Sequence, residues 1–216
     1  MKRSSLAVAA AAAVLAVVPG AQAKAPQSGV DVCGASSCVH LTWQQAEPIW
    51  IGGGSQVRPL SVAAPFYALH WRYSPDSEQT AYYIPDAHVL RWPTQSGKSA
   101  TWTSVDAPTA AAIEAGVGGL APYPATLPTE VSVGGRLARG PETYLRLLAG
   151  RYAGMSIGAT WLDIKMRADT PSPWTDGLIE IHISAGGRSR LVSVDGWVHK
   201  VPWRVANLAR RGLPLP

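Results

Sequence analysis

Gly154-Met155-Ser156-Ile157-Gly158 is the one stretch of this sequence that matches a catalytic signature, G-x-S-x-G. In hydrolases that carry it, the turn joins a strand to a helix and lifts the serine oxygen above a sheet, with a helix N-terminus behind it. Asp176 or Asp195, then His182 or His199, follow in the Ser-acid-His order of that fold. The surroundings argue the other way. Pro141 at a favoured first helical position, with Tyr144, Leu145 and Leu148 at helical spacing, predicts a helix over 142–149 before the motif. Ala159 to Met166 after it alternates like a strand, so Ser156 lacks the preceding hydrophobic strand and the following helix. The chain also lacks the repeated β-α alternation of a doubly wound sheet. With 21 glycines in 216 residues the spacing arises cheaply, and a serine hydrolase stands only as the rival reading.

Other chemistries find less support. His40, His70, His88, His182 and His199 all fall in or near predicted strands, and none makes the i,i+4 helical pair of a zincin, so no metal site is expected. Gly52-Gly53-Gly54 lacks the Lys-Ser/Thr ending and following helix of a phosphate-binding loop, so no nucleotide or other cofactor is expected. Glu180 and His182 share one strand face and could form an acid-base or pH-sensitive pair. Nine tryptophans invite a sugar-stacking hypothesis, yet most sit at strand positions where a core contact explains them. Trp174, in the turn-rich loop Pro171-Ser-Pro-Trp-Thr-Asp-Gly177, is the expected exposed aromatic. With Asp176 beside it, it marks a possible binding surface.

The only two cysteines stand at the ends of a four-residue turn in Val30-Asp-Val-Cys33-Gly-Ala-Ser-Ser-Cys38-Val-His-Leu41. Residues opposite one another in a non-hydrogen-bonded antiparallel pair come close enough for a disulfide. The pattern predicts a stapled β-hairpin. A redox dithiol usually has two intervening residues, and a metal needs more ligands than two cysteines.

A structural disulfide implies an oxidising compartment, and the N-terminus agrees. Met1-Lys2-Arg3 is basic, Leu6 to Val18 is an apolar run of 13 residues, and Ala21-Gln22-Ala23 precedes Lys24 as a small-x-small cleavage site. These are the parts of a secretory signal peptide over 1–23. The run is shorter than the roughly 20 residues of a spanning helix, and no later stretch is longer, so no transmembrane segment is expected in the mature chain. The whole chain carries 19 basic and 14 acidic side chains, or +5. Loss of Lys2 and Arg3 lowers that to +3, with no basic run of the kind that binds nucleic acid.

Residues 24–29 read as a flexible leader. Thr42 and Gln45 fit a capping box that opens a short helix weakened by Pro48. Phe66 to Tyr73 alternates with one apolar and one mixed face, Ser74 to Ser77 turns the chain, and Ala81 to Pro85 forms a second strand. Val89–Trp92 and Ala100–Val105 form a further hairpin. Asp106 or Thr109 caps an alanine-rich helix over 110–115, stopped by Gly116 to Gly119. Residues 121–128, rich in proline, are either a sub-boundary or an ordered crossover. Val131–Val133 is a strand before the Gly134-Gly135 turn. Strands at 178–183, 190–194 and 197–201 follow, the last two joined by Asp195-Gly196, the strongest hairpin signal in the chain. A short helix over 207–211 ends it. The expectation is one α+β domain over 30–216, of antiparallel hairpins with two or three short helices packed on one side.

Val32-Cys33-Gly34 with Cys38, Pro65-Phe66-Tyr67, Tyr83-Ile84-Pro85 with Leu90-Arg91-Trp92, Tyr144-Leu145-Arg146-Leu147 and Pro171 to Gly177 resemble secreted actinobacterial proteins of unknown function. The resemblance implies a bacterial extracytoplasmic setting and carries no activity or catalytic residues. The function expected is a secreted or envelope-associated, non-enzymatic module that binds a protein or a cell-wall glycan. A serine hydrolase and a purely structural accessory protein are the alternatives.

Overall fold

The structure, a computed structural model, describes residues 29–51, 53–74, 77–92, 101–155, 159–170, 172–175, 181–195 and 197–216. The signal-peptide pattern of 1–23, the leader up to residue 28, Ser156, Asp176, Glu180 and Gly196 lie outside them. The fold is α+β, with two antiparallel sheets of seven strands each among the described residues.

The first sheet is built from β1 (Val30–Cys33), β2 (Cys38–Leu41), β3 (Gly53–Gln56), β4 (Tyr67–Ser74), β5 (Ser77–Ile84), β6 (Val89–Trp92) and β7 (Thr101–Val105), in the order β2-β1-β4-β5-β6-β7-β3. Cys33 stands opposite Cys38 and is joined to it by a disulfide, with the Cα atoms 4.0 Å apart. Gly34 N–H donates to Ser37 O at 2.9 Å, which makes the cysteine pair the close, non-hydrogen-bonded kind. Helix α1 (Trp43–Ile51) starts where the capping box places it: Gln45 Oε1 accepts from Thr42 N–H at 2.9 Å. The glycines after it do more than stop the helix. Gly53–Gln56 adds an edge strand to β7, and a Cβ on Gly54 would collide with the Ser104 carbonyl oxygen.

Helix α2 (Ala107–Val117) is capped by Asp106, whose carboxylate accepts from Thr109 N–H at 2.9 Å, and it ends at left-handed Gly118. Both helices lie on one face of the first sheet. Ala46, Ile49, Ala110, Ile113 and Val117 pack there on Val32, Leu69, Trp71 and Leu90. Trp50, Trp71 and Trp92 close the end of that layer, with ring centroids 5.3–6.0 Å apart.

Residues 121–128 lead from α2 to the second sheet. Tyr123 and Phe66 exchange backbone hydrogen bonds of 2.8 and 3.1 Å and stack their rings at 5.3 Å. The second sheet comprises β8 (Glu130–Val133), β9 (Arg136–Leu137), β10 (Arg151–Met155), β11 (Trp161–Arg167), β12 (Ile181–Ser184), β13 (Leu191–Val194) and β14 (Trp197–Lys200), in the order β10-β14-β13-β12-β11-β8-β9. Asp195 takes the positive φ, 47°, that a tight hairpin turn needs.

The segment between the two edges of this sheet is a 3-10 helix, Pro141–Ala149, not the α-helix its spacing predicts. Its threefold repeat stacks Tyr144 over Leu147 and Leu145 over Leu148, and all four are buried. A 3-10 helix also advances about 2.0 Å per residue against 1.5 Å for an α-helix, which suits a chain that must pass from β9 to β10. Helix α3 (Trp203–Arg210) begins earlier than expected and buries Val205, Ala206 and Ala209 against the same sheet. The helices therefore do not share one side: α1 and α2 cover the first sheet, whereas α3 and the 3-10 helix pack with the second. One apolar core joins this second group to Cys33, Phe66, Ala68, Tyr82, Ile84 and Trp102 of the first sheet.

Candidate functional site: a polar lane on the first sheet

The first sheet's face towards the second sheet changes character along its strands. One row across it runs Cys38–Cys33–Ala68–Tyr82–Arg91–Trp102. All of these except Cys38 are buried. Two residues along each strand, the next row on that face is His40–Asp31–His70–Thr80. Side chains on one face recur every second residue, so β4 presents Ala68, His70 and Arg72 in succession. Ala68 is buried, the His70 side chain is 30% exposed and that of Arg72 is 64% exposed. The eight-residue strands β4 and β5 run past the shared core and carry this row into solvent.

The row is tightly paired. His40 Nδ1–H donates to Asp31 Oδ1 at 2.7 Å, and Arg72 Nη2 stands 3.8 Å from Asp31 Oδ2. His70 Nδ1 lies 2.8 Å from Glu78 Oε1 as an ion-pair contact and shares a hydrogen bond of 3.1 Å with Thr80 Oγ1. A relay that activates a hydroxyl needs the carboxylate and the hydroxyl on opposite ring nitrogens. Here Glu78 and Thr80 both lie against Nδ1, so this trio does not have the geometry of such a relay. Among the described residues no set of three His, Cys, Asp or Glu side chains is placed to hold a metal ion.

The residues singled out by sequence are scattered. Asp195 is buried and accepts from Trp102 Nε1–H at 3.2 Å. His182 lies on the second sheet's outer face, where its Nδ1–H donates to Asp163 Oδ1 at 2.9 Å. His199 lies on the inner face, opposite Tyr152 and Val192. It is fully buried, its Nδ1–H donates to Gly150 O at 3.2 Å, and Nε2 has no hydrogen-bond partner. Burial holds this imidazole below its ordinary range. Arg58 pushes the same way and the Gly150 hydrogen bond pulls against both. Contrary to expectation, a strand, β10, does lead up to residue 156. The next described element is again a strand, β11, so the strand-to-helix order of a nucleophile elbow is still not met. Ser156 and Asp176 themselves lie outside the described residues.

Trp174 is not an exposed platform. It is fully buried, its Nε1–H donates to Leu60 O at 2.9 Å, and its ring packs 6.3 Å from Trp102 and 6.5 Å from Phe66. Pro-rich loops usually lie at the surface, but this one supplies a large apolar ring where the two sheets meet. The polar lane had only a partial sequence signal, the mixed face of Phe66 to Tyr73. Its other half comes from β1 pairing with β4, which no local pattern announces.

The chain matches no protein-family model, no curated protein and no solved structure.

Proposed function

We propose that this chain is a secreted or envelope-associated, non-enzymatic module whose open polar lane binds a protein partner. The observation that carries the reading is the row His40–Asp31–His70–Thr80 with Arg72 and Glu78, polar, solvent-facing and spread over four adjacent strands. A rigid sheet presents these groups in fixed register, which lowers the ordering cost of binding. The disulfide lies two residues from Asp31 and from His40 on the same face and holds that register at the sheet's edge. The secretory pattern of 1–23 supports export. The disulfide, and the lack among the described residues of a helix long and apolar enough to cross a membrane, are compatible with it. A glycan partner is disfavoured because no aromatic side chain described on the lane offers a stacking face, and Trp174 is buried. Nucleic acid is disfavoured because the sequence carries no basic run of the kind that binds it.

The test is site-specific photo-crosslinking from position 40 or 72 in the producing host, with position 165 on the second sheet as control. The partner recovered is then purified and titrated. Asp31→Ala with Arg72→Ala should weaken its binding at least tenfold, and Lys165→Ala should not. Equal affinities for the three chains would refute the reading. Fluorophosphonate labelling of Ser156 together with ester turnover would put the hydrolase in its place.

A further inference from the structure

We propose that the polar lane is a proton-gated docking surface that takes an acidic, extended protein segment when its two imidazoles are charged. The inference rests on the binding reading above and adds to it the partner's charge and a switch.

The charged and titratable groups described on this end of the face are few. They are Asp31 on β1, His40 on β2, His70 and Arg72 on β4 and Glu78 on β5, with Thr80 as a neutral neighbour. With both imidazoles neutral the group carries two negative charges and one positive, a net of −1. With both protonated it carries +1. The sign of the surface therefore inverts, and imidazole is the side chain whose charge ordinarily changes between about pH 5 and 8.

Geometry fixes how the change is presented. Each Nδ1 lies against a carboxylate, at 2.7 Å for His40 and 2.8 Å for His70, and a carboxylate there holds the ring's first proton on Nδ1. The added proton must therefore go to Nε2, which turns from an acceptor into a charged donor. The carboxylates are neutralised by their own histidines and stop repelling an acidic partner. Arg72, with its side chain 64% exposed, adds a third cation.

Spacing suggests the form of the partner. His40 and His70 lie on strands two apart in the sheet, on the order of 10 Å, and three residues of extended chain cover about the same distance. In a polyproline-II segment, with three residues per turn and a rise of about 3.1 Å, carboxylates three residues apart lie on one side about 9 Å from each other and would meet both imidazoles. The chain's overall positive charge favours the approach of such a segment.

The experiment titrates the full disulfide-bonded chain with a fluorescent Asp-Gly-Gly repeat peptide at pH 5.5 and 7.5, at one low ionic strength. The aspartates stay ionised at both values. The wild type should bind at least tenfold tighter at pH 5.5. His40→Gln with His70→Gln should abolish that ratio, and each single variant should lower it. Arg72→Gln should weaken binding at both pH values, and Lys165→Gln should change nothing. No binding at pH 5.5, or a ratio that survives the double substitution, overturns the proposal. Binding that Arg72→Gln weakens but pH does not alter overturns the gate and leaves the docking surface standing. Binding indifferent to every lane variant overturns both.

Discussion

Trp102 on β7 donates its indole N–H to Asp195 Oδ2 at 3.2 Å, so that a residue of the first sheet is bonded to the residue that follows β13 in the second. Both are buried, and Arg91, directly opposite Trp102 in the β6–β7 register, is fully buried as well. Charge has been taken out of water here, and such groups are tolerated only where partners offset the desolvation. Trp102→Phe should destabilise the fold by about 1–3 kcal/mol, because it removes a donor from a buried carboxylate. Asp195→Gly removes the acceptor and tolerates the left-handed backbone. Urea unfolding of the two single variants and the double should give a coupling of at least about 0.5 kcal/mol. Additive effects would show that the hydrogen bond does not join the sheets energetically.

Trp174 makes the second prediction. Its ring fills space between Phe66 and Trp102 while its N–H satisfies Leu60 O. Trp174→Ala should cost about 3–5 kcal/mol through the cavity it leaves. Trp174→Phe keeps much of the packing and should cost less, about 1–3 kcal/mol, chiefly for the orphaned carbonyl and the lost volume. A denaturant midpoint unchanged in Trp174→Ala would restore the reading of this residue as a surface platform.

The contrast between these residues and the stapled hairpin shows which parts of the fold the sequence displays. Cys33 and Cys38, Asp106 with Thr109, Thr42 with Gln45, and Asp195 before its glycine are each a contact or turn closed within a few residues. Their chemistry is readable in place. Trp174 meets Leu60 across 114 residues. Asp31 meets His70 only because β1 chose β4 as its second neighbour, and Gly53–Gln56 is a strand only because β7 has a free edge. The 3-10 helix lies between these cases: buried Tyr144, Leu145 and Leu148 satisfy both threefold and 3.6-fold repeats, and buried Leu147 is the residue that separates them.

The disulfide should stabilise modestly. Its loop is six residues, counting both cysteines, for which the loop-closure model gives about 2 kcal/mol at 25 °C. Cys33→Ala with Cys38→Ala should therefore lower the guanidinium midpoint by that equivalent with little change in slope. The paired chain should still fold, while docking at the neighbouring Asp31–His40 pair weakens. Failure to fold without the bond would show that the staple holds the whole first sheet and not only its edge.

His199 should make stability pH-dependent in a known direction. Burial and Arg58 depress its affinity for a proton in the folded state, against an ordinary value of 6.5. The unfolded chain therefore binds more protons as the pH falls below that value, and stability must fall with it. The full contribution is present above about pH 6.5 and is lost progressively on acidification. Protonation would place a second cation beside Arg58 and charge an Nε2 that has no partner. The strain would fall on the β10–β14 edge, because Gly150, which accepts the Nδ1 proton, leads directly into β10. Melting curves between pH 7.5 and 5 should slope downward for the wild type and less so for His199→Phe, which cannot titrate. Hydrogen exchange in Arg151–Met155 should quicken over the same range. Parallel slopes for the two chains would mean that the acid sensitivity belongs to other groups and that the buried imidazole is inert.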